Sequence, residues 1–440
     1  MTEANTRKIS TVAFCTLGCK VNQQETDSMR TLFETAGYRT VSFEDAADVY
    51  VVNTCTVTQV SDKKSRQSIA RAHSRNPAAV VAVVGCYAQR EPGRVQALPG
   101  VQVVVGTQHR NQIVELVQAA RARNVVEDIQ KTTVFESLPV VQSGERTRVG
   151  ERTRVQLKIQ DGCDRYCSYC IIPYARGRVR SKAFEEVQRE LTEIGARGAG
   201  ELVLTGIHLM SYGKELADAR TLADVVLFAG RTAGIGRIRL GSLEPALVDE
   251  TFVDALVRAE KVCPQFHLSL QSGSDTVLRR MRRRYSTDDY RAAVARLRSA
   301  FPGCAVTTDI IAGFPGETQA EHEETMAFAR ELCFARVHVF PYSKREGTAA
   351  AEMENQLPRA EKELRARELI AIGKETEDAY LLQQVGTVQG VLAEETGEGY
   401  IEGYTANYVR ARVSCEAKLN TLLTVYIKEA KNNALIGELA

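Results

Sequence analysis

A strand-like run followed by a stretch of helical composition, repeated from about residue 12 to residue 340, constrains this chain more than any other feature. In the first third the runs are Val12–Cys19, Val49–Cys55, Val80–Cys86 and Val101–Val105, with Gln24–Thr35 and Asp62–Ser74 between them. Uninterrupted β-branched runs of this length read as strands buried on both faces of a parallel sheet. Strand and helix in alternation predict a doubly wound α/β domain over residues 8–120. The polar, irregular stretch 121–150 then reads as a linker. It carries most of a tandem hexapeptide, Gly144–Val149 repeated as Gly150–Val155, which an exposed connector tolerates best.

The alternation resumes with Val155–Gln160, Glu201–Thr205, Arg237–Gly241, Phe266–Leu270, Ala305–Ile311 and Arg336–Phe340. Amphipathic stretches such as Phe184–Arg197, Leu247–Lys261 and Asp288–Ala300 separate them. This predicts a partial (β/α)6 barrel over 151–375, with its chemistry at the carboxyl mouth of the strands. A charged helix, Leu357–Gln384, leads to the short runs Gly386–Leu392, Gly399–Gly403, Tyr408–Val413 and Leu422–Ile427, broken by Gly and Asn. Residues 376–440 are thus expected to close a small antiparallel β-barrel.

The 11 cysteines of this 440-residue chain fall into two patterns. Cys19, Cys55 and Cys86 each stand at the end of a strand run of the first domain, where ligands of doubly wound sheets bind. Cys163, Cys167 and Cys170 form a C-x3-C-x2-C cluster directly after the first barrel strand. Thiolates are soft ligands suited to iron–sulfur clusters and zinc. A cubane cluster usually takes four cysteines, so three leave one iron open. On spacing alone a zinc knuckle, or a C-x2-C redox pair beside a bystander, competes with that reading. Cys15, Cys263, Cys304, Cys333 and Cys415 lack the strand-end position and read as structural. No run approaches a membrane span, and Met1–Ser10 has no signal-peptide core, so the reducing cytoplasm is the expected compartment.

Cys163–Cys170 at the end of the first barrel strand resembles the radical SAM enzymes. Leu17–Asn22, Val52–Cys55 and Gly85-Cys86 resemble the N-terminal domain of the methylthiotransferases among them. Leu204–Leu209, Phe266–Gly273, Thr308–Glu317 and Val339–Gly347 agree as well, and Ser274 departs where many relatives carry Cys. The resemblance implies two [4Fe–4S] clusters, an auxiliary one on Cys19, Cys55 and Cys86 and a radical-generating one on Cys163, Cys167 and Cys170. It further implies S-adenosylmethionine in two roles, methyl donor and radical source, and a C-terminal OB-like TRAM domain. Within the family the sequence lies nearest the branch that methylthiolates C2 of N6-threonylcarbamoyladenosine at position 37 of tRNA. The isopentenyladenosine branch and the branch that modifies a ribosomal-protein aspartate are alternatives, and a non-catalytic, metal-stabilised RNA-binding protein is the reading from another class.

Residues expected at S-adenosylmethionine are Tyr169, beside the third cysteine, and Thr205, Gly206, Ser242, Glu244, Ser269, Gln271, Asp309, Phe340 and Tyr342 at the barrel mouth. A net charge of only +2 leaves RNA binding to local patches. Residues 145–182 hold ten Lys/Arg against four acids, and 279–298 hold eight Arg against two Asp. Arg176, Arg178, Arg180, Arg283 and Lys344 are candidates for RNA or for the threonylcarbamoyl carboxylate. In the acidic C-terminal segment the candidates are Arg410, Arg412 and Lys418, with Tyr404 and Tyr408 for stacking. A low-potential electron donor of flavodoxin or ferredoxin type and a sulfur source are expected partners, with a monomer as the default.

Overall fold

The computed structural model describes residues 11–119, 123–139 and 153–440. Met1–Ser10 and most of the tandem hexapeptide lie outside the described residues. The chain divides into two compact units: residues 1–141, 161–165 and 170–180 form one, and 142–160, 166–169 and 181–440 the other.

In the first unit, β1 (Thr11–Thr16), β2 (Arg39–Val41), β3 (Val49–Thr54), β4 (Val80–Gly85), β5 (Val101–Val105) and β6 (Arg123–Val125) make one sheet in the order β2-β1-β3-β4-β5-β6. All its pairings are parallel. Every residue of β3 and β4 is buried, as their β-branched runs predicted. Helices on both faces cover them, through Met29 and Phe33 on one side and Ile69 and Ala72 on the other. The strand order reverses between β1 and β3, and a crevice opens beyond the carboxyl ends of the strands at such a point. Residues 123–139 belong to this unit rather than to a linker. They add β6 to the sheet edge and bury Ile129 and Leu138.

The second unit holds β7 (Arg154–Asp161, its last residue assigned to the first unit), β8 (Arg180–Ser181, its first residue assigned to the first unit), β9 (Ala199–Gly206) and β10 (Ile235–Leu240), hydrogen-bonded in the order β10-β9-β7-β8. A second sheet joins β11 (Gln265–His267), β12 (Ala305–Ala312) and β13 (Arg336–Pro341). Parallel bridges Ile238–Val262 and Leu243–Leu268 carry the pairing from β10 to β11, so the expected six parallel barrel strands are present. A helix, Arg359–Gln383, runs on past residue 375 to the C-terminal strands. These are β14 (Val388–Gly397), β15 (Tyr400–Thr405), β16 (Arg410–Val413), β17 (Leu422–Lys431) and β18 (Ala434–Leu439), closed as β14-β15-β16-β18-β17. The β16–β18 pairing is parallel, an exception to the antiparallel expectation.

The floor of the large barrel is polar. Glu201 on β9 is fully buried and takes Arg237 Nε at 2.6 Å and Arg239 Nε at 2.7 Å, both from β10. Other guanidinium nitrogens reach the small barrel: Arg237 Nη1 and Nη2 donate to the carbonyls of Gly390 and Tyr404, and Arg239 Nη1 to that of Ala406, while Arg239 Nη2 also donates to Glu201. Buried carbonyls without donors would cost free energy, so these arginines dock one barrel on the other by satisfying them. The neighbouring arginines hold Glu201 at a pKa of about 2 against the opposing effect of burial.

Candidate functional site

Three loops at the switch point of the first sheet bring Cys19, Cys55 and Cys86 together. Cys19 caps the helix Lys20–Thr35, and Cys86 opens the turn of helix Cys86–Arg90. Thr54 and Gly85 are paired across β3 and β4, so Cys55 and Cys86 leave the sheet side by side. Gly18 completes the convergence. Its φ of +103° is open to glycine, and a Cβ there would stand 2.9 Å from Cys55 Cβ and 3.1 Å from its sulfur. Asn22 ties the loops: Nδ2 donates to the carbonyls of Leu17 (2.7 Å) and Thr54 (3.0 Å), and Asn53 Nδ2 donates to the Asn22 carbonyl. Cys19 is exposed while Cys55 and Cys86 are buried. Burial pushes the Cys86 thiol up to about 12, with the Arg176 guanidinium opposing. Cys55 is raised by burial as well.

Around this point lies a buried charge network within the same unit. Arg176 is fully buried; Nη1 meets Glu25 Oε1 at 2.8 Å and Asp161 Oδ1 at 3.1 Å, and Nη2 donates to Asn22 Oδ1 at 2.6 Å. Arg110 pairs with Glu25 at 2.5 Å and with Glu136 at 2.9 Å. Asp161 and Arg176 bracket the C-x3-C-x2-C loop in sequence, so the second cysteine pattern sits between two members of the network.

In that loop Gly162 has a φ of +71°, and a Cβ would fall 1.8 Å from the Arg178 carbonyl, so only glycine permits the turn. Cys163 N donates to the Gly177 carbonyl at 3.0 Å. In the second unit, Cys167 Sγ accepts from Arg283 Nη1 at 3.2 Å, and Arg283 also meets Glu244 at 2.9 Å and Tyr285 Oη at 3.0 Å. Ser168 bonds to the backbones of Arg280, Met281 and Ala350, which fixes the loop before Cys170. Among the described residues no three His, Cys, Asp and Glu side chains close on a single metal ion. Soft thiols at a sheet switch point, next to a buried cation, suit an iron–sulfur group, whose thiolates bind different irons.

Comparison with known proteins agrees with this geometry. Residues 11–106 match the uncharacterized protein family UPF0004, and residues 157–329 match the radical SAM superfamily. The chain is 43% identical over 411 residues to the threonylcarbamoyladenosine tRNA methylthiotransferase MtaB of Bacillus subtilis, covering 91% of this chain and 90% of that protein. It is 36% identical to a tRNA-2-methylthio-N(6)-dimethylallyladenosine synthase of Frankia casuarinae, over 95% of this chain and 76% of that one. Among solved structures, the radical S-adenosylmethionine methyltransferase TsrM of Kitasatospora setae shares the fold, with a TM-score of 0.57 at 16% identity over 78% of this chain and 77% of that one. The chain belongs to the radical SAM methylthiotransferases.

Against the fold of this family the other expected site residues can be placed one by one. Thr205 is buried near the end of β9, Gln271 is buried in an isolated bridge to Ile310, and Gly206 lies against Gln160. Ser242 is exposed and Phe340 is 48% exposed. Glu244 faces His208 Nε2 at 3.3 Å as well as Arg283. Ser269 gives its carbonyl to Tyr285 Oη, and Asp309 meets His267 Nε2 at 3.3 Å. Tyr169 packs beside Tyr342, but Tyr342 itself is core: it is buried with Val277, Met281, Phe314 and Ala350 rather than presented at the mouth.

Three of the expected RNA cations are corrected in the same way. Arg176, Arg180 and Arg283 lie inside the protein, because each faces a buried carboxylate that would otherwise be left uncompensated. Arg178 and Lys344 are exposed. Tyr404 and Tyr408 stack on each other at 4.9 Å, with Arg154 over both rings and Arg239 over Tyr408. They serve the docking of the small barrel rather than a stack on RNA. Arg410 and Arg412 share Glu402 yet stay about half exposed. Cys263 and Cys304 are buried as structural residues should be, whereas Cys333 is exposed at a helix end. Sequence reading missed Asn22, Glu25, His208 and the Glu201 cluster, since polar residues inside runs announce their partners only once the strands are paired.

Proposed function

We infer that this protein methylthiolates threonylcarbamoyladenosine in tRNA, at C2 of the adenine at position 37, by a radical S-adenosylmethionine mechanism. The observation that carries the reading is near-full-length identity of 43% to a threonylcarbamoyladenosine tRNA methylthiotransferase, above the 36% shared with a dimethylallyladenosine synthase. Cys163, Cys167 and Cys170 would hold the radical-generating [4Fe–4S] cluster, and Cys19, Cys55 and Cys86 the auxiliary one. Together with S-adenosylmethionine, these groups supply a one-electron cleavage and a transferable sulfur, chemistry that acid–base side chains cannot provide at an unactivated C–H.

The chain's own residues aim and shelter that chemistry. Asn22 and Gly18 hold the three auxiliary thiols in one place, and Arg283 donates to the Cys167 sulfur while Glu244 holds its other side. The threonylcarbamoyl carboxylate calls for an Arg or Lys, and with Arg176, Arg180 and Arg283 committed internally, Arg178 and Lys344 are the candidates that reach solvent. A flavodoxin- or ferredoxin-type donor and a sulfur source would complete the reaction, in the cytoplasm where the tRNA is found. No helix among the described residues is long and apolar enough to cross a membrane.

The deciding experiment is mass spectrometry of tRNA nucleosides from cells lacking the protein. Loss of methylthio-threonylcarbamoyladenosine alone is expected. Loss of the isopentenyl analogue instead would move the protein to the other tRNA branch. Anaerobic reconstitution should give about eight irons per chain, four for each cluster.

A further inference from the structure

The inner face of the large barrel carries a ladder of polar side chains that includes none of the six thiols. Arg239, whose Nε and Nη2 hold Glu201, donates through Nη1 to Gln265 Oε1 at 3.2 Å. That contact turns the Gln265 amide so that Nε2 donates to Thr307 Oγ1 at 3.1 Å. The Thr307 hydroxyl then has its own proton for His267 Nδ1, also at 3.1 Å. His267 is thereby held with its proton on Nε2, which faces Asp309 Oδ2 at 3.3 Å. Each donor is fixed by the one before it, and the ladder ends on a carboxylate, a group that only accepts. Arg239, Gln265 and Thr307 are buried, whereas the Asp309 side chain is 33% exposed.

The surroundings of Asp309 mark that end of the ladder as a place for a ligand. The helix Arg359–Gln383 packs on the outer face of β13, where a Cβ on Gly373 would meet Val337 Cβ at 3.0 Å. Alternation along the strand then turns His338 and Phe340 inward, and both are exposed. His338 is the register partner of Asp309, and its ring lies 6.1 Å from that of His267. Strand β13 is the last of the sheet β11-β12-β13, so these inward residues reach solvent along its edge. Asp309 stands three residues before the end of β12. At the rise of a strand that is roughly 10 Å below the mouth, where S-adenosylmethionine is expected.

We propose that Asp309 is a specificity-determining residue that accepts the N6–H of the substrate adenine, with Phe340 as the face on which the base stacks. The proposal rests on the reading of the protein as a methylthiotransferase of N6-threonylcarbamoyladenosine in tRNA. An RNA base drawn out of its stack is held by contacts to its edge and by aromatic faces. Substitution at N6 leaves the adenine one N6–H. An acceptor there grips the base away from C2, the carbon that reacts.

The test uses the full-length reconstituted protein and two anticodon stem-loop RNAs, with binding read by fluorescence anisotropy. One RNA carries N6-threonylcarbamoyladenosine at position 37, and the other its N6-methyl derivative, which lacks the N6–H. The unaltered protein should favour the first roughly tenfold to a hundredfold, the range for a hydrogen bond to a charged acceptor. Asp309→Ala should bring that ratio close to one. Thr307→Val, which breaks the ladder and leaves Asp309 in place, should reduce it part-way. Iron content and affinity for S-adenosylmethionine should be unchanged in both variants. Equal binding of the two loops by the unaltered protein overturns the proposal, as does a ratio that survives Asp309→Ala, and in either case the reading of the function stands. Weakened S-adenosylmethionine binding by Asp309→Ala, with the ratio intact, would assign the carboxylate to the cofactor and overturn the proposal too. If the unaltered protein binds neither loop, the reading of the function fails and takes the proposal with it. Should Asp309→Ala fail to fold, judged by its iron content, Thr307→Val decides alone, and an unchanged ratio there overturns the proposal.

Discussion

Cys163, Cys167 and Cys170 stand within one loop, whereas Cys19, Cys55 and Cys86 come from three loops between residues 19 and 86. The first set needs only a glycine turn and a short anchored segment to exist. The second exists only when β1, β3 and β4 pair in register and Asn22 joins the loops across them. A local site tolerates damage to the sheet beneath it. An assembled site inherits the stability of the whole unit, and in exchange can place each sulfur on a different rigid element.

The largest effects should separate the two triads outright. Cys167→Ala should abolish both S-adenosylmethionine cleavage and methylthiolation, while Cys55→Ala should retain cleavage, measured as 5′-deoxyadenosine, and lose only the methylthio product. Product from Cys55→Ala would break the comparison at its root. Next in size, Asn22→Ala removes a buried donor of two hydrogen bonds and an acceptor of Arg176. It should cost about 2–4 kcal/mol in the first unit and lower the iron content of reconstituted protein toward half, sparing cleavage. Loss of iron from both sites would show that the triads are not independent.

The Glu201 cluster provides the contrast, because it is a buried charge network in the docking of the small barrel that includes none of the six thiols. Its folded pKa of about 2 lies below the ordinary carboxylate value of 4.5, so its stabilisation is present above about pH 4.5 and is lost as pH falls through about 2. The shift corresponds to about 3 kcal/mol. Glu201→Gln should remove that amount at neutral pH, flatten the acid limb of a stability–pH curve measured by denaturant unfolding, and leave iron content unchanged. The smallest effect is expected at Lys344, exposed at the surface. Lys344→Ala should leave both clusters intact and reduce the log–log salt dependence of tRNA affinity by about one. An unchanged slope would remove Lys344 from the RNA contacts.

Much of the fold was legible because βα alternation and β-branched runs are local signals, and all six barrel strands lie where the runs stand. The positions of the six cysteines were local signals too, Cys19, Cys55 and Cys86 each ending a run and Cys163, Cys167 and Cys170 following a single one. Partners across the fold were not. Arg176, Arg180 and Arg283 read as surface cations because a sequence shows charge without its neighbours, and Tyr404 and Tyr408 read as stacking platforms until Arg154 and Arg239 were found upon them. Strand β6 was hidden in an apparent linker, since three residues at a sheet edge carry no periodicity of their own.

The sequence by itself determined the repeating architecture, the six thiols and the family, since periodicity and motif spacing are properties of the chain. Only the tertiary structure decided which charges are buried, which glycines let two loops touch, and that Arg176, beyond the local triad in sequence, pairs with Glu25 and Asn22. Those facts depend on long-range pairing, where the low dielectric of the interior turns an ordinary surface-type residue into a fixed charge.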